Sequence, residues 1–99
     1  ITIDEKIMFS RQMYSLAKAG VPITRAMRGL ANTVKNTLLQ ETLGNLAGDL
    51  EKGHALSSAM SKHPKVFSEL YISMIHVGEN TGQLDDAFRQ MGAYLELDY

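Results

Sequence analysis

Apolar residues recur along this chain at three- and four-residue steps, in six runs separated by Gly, Pro or short polar segments. That is the period of helices that bury one face. Thr2 and Glu5 have the S/T-x-x-E spacing of a capping box, and Ile7, Phe9, Met13, Leu16 and Ala17 follow as the first apolar face. Gly20 closes this helix, because glycine tolerates the left-handed conformation at a helix end. Pro22 suits the first turn of the second helix, where a missing N–H is harmless, and Ile23, Ala26, Met27, Leu30, Ala31 and Val34 form its stripe. Asn36 or Thr37 caps a third helix carrying Leu39, Leu43, Leu46, Ala47 and Leu50, and Gly53 ends it.

A short fourth helix starts near Ser57 and stops at His63-Pro64, since the residue before proline is pushed out of the helical region. Ser68 caps a fifth, with Tyr71, Ile72, Ile75 and Val77 on its buried side. Gly78 falls late in that helix, and Asn80-Thr81-Gly82 make the break. Asp85 and Asp86 stand in the first turn of the sixth, where the helix dipole favours acids, and Leu84, Ala87, Phe88, Met91 and Leu95 are its apolar face. No window alternates with the two-residue period of a strand. The pattern predicts an all-α fold, a compact antiparallel bundle of six helices forming one domain over residues 1–99.

Composition narrows the function classes. Ten Lys and Arg against eleven Asp and Glu leave a net charge of −1, which argues against nucleic-acid binding, where phosphate neutralisation needs a basic excess or a basic face. With no cysteine there is neither a disulfide nor a thiol nucleophile, in keeping with a reducing compartment. The chain opens on Ile1, as a piece of a longer protein would, and no apolar run reaches the roughly 18 residues a membrane helix needs.

Catalytic patterns are missing: no phosphate-binding G-x-x-x-x-G-K-[ST], no G-x-G-x-x-G, no H-E-x-x-H and no G-x-S-x-G. His54, His63 and His76 share no metal-ligand spacing. The first two read as exposed residues at helix ends and His76 as a half-buried packing residue. No cofactor or metal is expected. Six methionines fall mostly on apolar stripes and read as core, with Met8 and Met60 as the two that could face a partner. Glu79 stands between two glycines at a break, where a carboxylate caps free N–H groups of the next helix or bridges to a partner chain. Asp85 and Asp86 read first as helix N-terminal acids and second as part of the same contact surface.

Several of these residues fall in an order that resembles a known family. Phe9-Ser10-Arg11-Gln12-Met13, Leu16, Ala19-Gly20-Val21-Pro22-Ile23 and Ala26-Met27 resemble the opening of the type II secretion F-protein domain. Gly53, Leu56-Ser57 and Ala59-Met60 resemble its G-x-x-L-S-x-A-L step. Residues 64–67 resemble its H-P-x-x-F-P turn, with Ser68 where Pro is usual. Gly78-Glu79-Asn80-Thr81-Gly82-Gln83-Leu84 resembles its G-E-x-[ST]-G-x-L element, and Tyr94-Leu95-Glu96 its closing Y-L-E. The wording of residues 72–80 is most similar to platform proteins of mannose-sensitive haemagglutinin pili.

The resemblance implies a cytoplasmic domain, the first of two copies in a multi-pass inner-membrane platform protein that enters its first membrane helix after Tyr99. It implies partners as well: a cytoplasmic assembly ATPase, other inner-membrane assembly proteins, and further copies of the chain in a dimer or larger oligomer. The implied role is non-enzymatic, coupling the ATPase to pilin or pseudopilin assembly. Within it, Glu79 is the expected contact residue, Asp85 and Asp86 are secondary ones, and Gly20, Pro22, Gly53, Gly78 and Gly82 are structural. The competing reading is a free-standing helical adaptor or regulator that binds another protein or nucleic acid.

Overall fold

The computed structural model describes residues 2–98, and both Ile1 and Tyr99 lie outside them. Six helices follow one another: α1 (Ile3–Lys18), α2 (Ile23–Ala31), α3 (Thr37–Glu51), α4 (Leu56–Met60), α5 (Glu69–Thr81) and α6 (Leu84–Asp98). No strand occurs among the described residues.

Three of the starts have a local side-chain cap. The Thr2 hydroxyl accepts the Glu5 N–H at 3.1 Å while the Glu5 carboxylate accepts the Thr2 N–H at 2.8 Å, a complete capping box. The Asn36 side chain caps α3 through the Leu39 N–H, and Ser68 caps α5 through the Tyr71 N–H. Pro22 stands one residue before α2, as its N-cap. It is thus one residue outside the first turn that the sequence predicts, and its carbonyl accepts the Ala26 N–H. Neither α2, whose N-cap is Pro22, nor α4, whose N-cap is Ala55, has a side-chain cap of its own. Gly20, Gly53 and Gly82 follow helix ends at φ of +89°, +93° and +72°.

Neighbours in sequence are neighbours in space. Each helix packs on the next, and α6 returns to pack on α1, closing the order into a ring. Gly92 of α6 lies against Ser10 of α1, and Arg11 pairs with Glu96. Inside the ring, Phe88, Met13, Met27, Leu39, Leu43, Leu46, Met60 and Ile75 are fully buried. Phe9 touches Phe67 and Phe88 with ring centroids 6.0 and 5.9 Å apart, and Phe67 continues to Tyr71 at 5.4 Å. These tilted and edge-on contacts are the geometries aromatic quadrupoles prefer. They tie the loop before α5 to α1 and α6.

One polar pair is sealed in this core. The Ser10 hydroxyl donates to the Lys6 carbonyl and lies 2.7 Å from the Tyr71 hydroxyl. Burial pushes the Tyr71 phenol well above its usual range.

The structure corrects four sequence expectations. Met60 is core, at 0% exposure, because α4 turns it inward beside Leu56 and Ala59. Val77 is 55% exposed, since the buried side of α5 is narrower than the stripe assumed and centres on Tyr71, Ile75 and Gly78. His76 is exposed rather than half-buried. Val34 lies past the end of α2, in a turn where its N–H donates to the Leu30 carbonyl. Met8, by contrast, stays 47% exposed, and no helix is long and apolar enough to cross a membrane.

Two glycines are expected to respond oppositely to alanine. A Cβ on Gly44, inside α3, would meet no atom within 4 Å, so Gly44→Ala should stabilise the fold by about 0.5–1 kcal/mol. Gly82→Ala forces a left-handed backbone onto an L side chain and should cost about 1–2 kcal/mol. Urea unfolding of both variants checks the pair, and equal shifts of one sign would contradict these backbone assignments.

Candidate functional site

The fourth helix has five residues and no side-chain cap of its own, so its first N–H groups need an acceptor from elsewhere. Glu79, in the last turn of α5, supplies it. Its Oε1 accepts the Ser57 N–H at 2.6 Å and its Oε2 accepts the Ser57 hydroxyl proton at 2.8 Å. Both carboxylate oxygens are engaged, the Glu79 side chain is 17% exposed, and Ser57 is buried. Ionised acceptors make shorter and stronger hydrogen bonds than neutral ones, and a carboxylate at a helix N-terminus also meets the positive end of the peptide dipoles.

His76 stands one turn before Glu79 on the same side of α5. Its Nδ1 lies 3.4 Å from the Ser57 hydroxyl and 3.9 Å from Glu79 Oε2. Its Nε2 lies 3.2 Å from the Asn80 side-chain nitrogen. A hydrolytic triad places histidine between hydroxyl and acid. Here the acid holds the hydroxyl directly and the histidine stands to one side. Glutamate and serine thus join two helices, with the histidine beside them.

Gly78 sets the approach of α6. A Cβ there would fall 2.8 Å from the Ala87 Cβ, 3.1 Å from the Gln83 carbonyl oxygen and 3.2 Å from the Leu84 Cα. Its carbonyl accepts the N–H groups of Gly82 and Gln83, which ends α5. Within five residues the chain thus meets α6 through Gly78, reaches α4 through Glu79, and reverses at Gly82.

The other acids serve their own helix. Asp85 Oδ1 accepts the Asp86 N–H at 2.8 Å, and Asp86 accepts Arg89 Nε at 2.9 Å and Gln90 Nε2 at 2.6 Å. The Arg89 guanidinium, with help from Gln90, holds the Asp86 carboxyl below its usual range. Glu79 is thus brought to Ser57 and His76, and no three His, Asp or Glu side chains among the described residues converge on a point that could hold a metal ion. Sequence reasoning missed Ser57. Twenty-two residues separate it from Glu79, and no local period links positions so far apart. The two stretches that hold them were each visible as a pattern, but nothing in either pointed to the other.

The family model for the type II secretion system protein F matches residues 9–99. Among curated relatives, the type IV pilus assembly protein PilC of Thermus thermophilus is 36% identical over 92% of this chain and 22% of its own length. The type IV pilus assembly protein TapC of Aeromonas hydrophila is 31% identical over 88% of this chain and 21% of its own. The type II secretion system protein F of Vibrio cholerae is 27% identical over 97% of this chain and 24% of its own. The chain spans between a fifth and a quarter of the length of these relatives.

Removing the charge of the clasp should loosen α4. Glu79→Gln is expected to lose about 1–3 kcal/mol of stability and Ser57→Ala a comparable amount. The double variant should lose clearly less than the two together. Additive losses in urea unfolding would mean the two residues do not act as a pair. Gly78→Ala should also destabilise, through its overlap with Ala87, and Ala87→Gly in the same chain should recover part of the loss.

Proposed function

We propose, since the chain belongs to the type II secretion system protein F family, that it is a non-enzymatic scaffold domain on the cytoplasmic face of a bacterial inner membrane. In this reading it is the first of two such copies in a multi-pass platform protein of type IV pilus assembly or type II secretion. The platform works as a dimer or larger oligomer and couples a cytoplasmic assembly ATPase to the assembly of pilin or pseudopilin subunits.

The observation that carries this is the family match over residues 9–99. The clasp agrees with it, because a scaffold that passes on force needs its helices locked to one another, and Glu79 with Ser57 locks α4 to α5. Glu79 then acts on partners through the placement of α4 and not by touching them. Asp86, with a side chain 37% exposed, is the better candidate for a direct contact, with Asp85 beside it.

The test is binding of the purified chain to the cognate assembly ATPase by biolayer interferometry. Saturable binding is expected. Asp86→Lys should weaken it by about fivefold, chiefly through slower association, as surface charges at an interface usually act, while the helical circular dichroism stays unchanged. A folded chain that fails to bind the ATPase would remove the coupling role.

A further inference from the structure

Along one side, α1 and α2 part to leave an apolar groove. Its wider stretch, about 470 Å³, is lined by Leu16 and Leu30 with Gly29 and Thr33 beside them. It continues past Gln12 and Thr33 into a second stretch of about 350 Å³ that includes Met8, Lys35 and Glu5. From Met8 to Leu16 the groove follows α1 for eight residues, about 12 Å at the helical rise, which is room for two to three turns of another helix. Among the described residues nothing covers it.

Gly29 gives the groove its shape. It lies inside α2, where glycine is the poorest choice short of proline. A Cβ there would meet no atom within 4 Å, so no packing within this chain requires a glycine. A side chain at this position would extend into the groove.

Charge indicates what could fill that space. Arg25 lies one turn before Gly29 on the same face of α2, and Lys35 lines the far stretch. Neither is in an ion pair among the described residues, whereas Arg11 pairs with Glu96 and Arg28 with Glu51. The wider distribution has the same sign: residues 2–35 hold six of the ten basic side chains and two of the eleven acidic ones. From Glu69 onward there are six acidic residues and one basic. The groove is therefore an apolar strip on the basic half of the molecule, with Lys35 on its lining and Arg25 one helical turn beyond Gly29; the one acid on its lining, Glu5, is engaged by the Thr2 N–H in the capping box.

We propose that this groove docks an amphipathic helix of a partner protein, apolar on the face that enters and carrying Asp or Glu on its flanks. An apolar helix face laid into a groove is a recurrent mode of recognition, and the two cations would select the acidic version and set its direction. The proposal takes from the scaffold reading only the expectation of a protein partner.

The probe is a synthetic 18-residue helical peptide with leucines at i, i+3, i+4 and i+7 and Glu on the flanks, against the same peptide with Lys in those places. Fluorescence anisotropy with the 99-residue chain is expected to show saturable binding of the Glu peptide. The Lys peptide should bind at least about tenfold more weakly. Gly29→Gln and Arg25→Glu should each weaken the Glu peptide by about tenfold, with a thermal midpoint at or above that of the parent. Peptide-induced NMR shifts should fall on α1 and α2. Equal affinity for the two peptides, no binding of the Glu peptide below about 1 mM, or full affinity in folded Gly29→Gln would overturn the proposal. A concentration-dependent dimer abolished by Gly29→Gln would assign the groove to a second copy and overturn it as well. Peptide binding without ATPase binding would remove the coupling role and leave the groove standing, and ATPase binding without peptide binding would remove the groove alone.

Discussion

A helix of five residues does not hold together in water, because its nucleus costs more than so few hydrogen bonds return. The fourth helix, which also begins on an alanine whose side chain can accept nothing, persists because Glu79 closes its open end from another helix. Much follows from that one carboxylate. With α4 held, Leu56, Ala59 and Met60 stay in the core, and α4 can bridge α3 to α5. If α4 were released, the ring of helices would open between α3 and α5, the one span that only this short helix bridges.

The position of Glu79 is set in turn by the glycines around it. Gly78 lets the backbone of α5 come against Ala87 and the turn at Gln83 and Leu84, which fixes how the α5–α6 pair sits. Gly82 reverses the chain at a φ that other residues resist. The rigid pair aims the carboxylate at Ser57 without the entropy cost of ordering a mobile segment. His76 and Asn80 extend the same network toward the surface. Through this network Glu79 holds the N-terminus of α4 against the last turn of α5.

The surfaces divide by charge and shape. The α5–α6 side is acidic and α1–α2 is basic, and between α1 and α2 lies an apolar groove with Lys35 on its lining. A domain that works by touching other proteins gains from two faces of opposite sign, since each repels what the other attracts. The clasp, by contrast, is largely shielded from solvent, so partners would sense it only through the position of α4.

Sequence by itself determined the helices. Capping residues at Thr2, Asn36 and Ser68, glycines at the ends, and stripes such as Ala26, Met27 and Leu30 are local signals, readable because a helix repeats every 3.6 residues. The family was also legible, because short motifs in order along the chain need no coordinates. Tertiary structure alone decided what Glu79 does: a carboxylate beside a break can cap, bridge or coordinate, and its choice depends on a serine twenty-two residues away. It decided that Gly78 is a contact and not a turn, that Met60 is core and Val77 is not, and that Ser10 meets Tyr71 across 61 positions. A residue's local neighbours fix its backbone, but only the packed chain fixes what its side chain can reach.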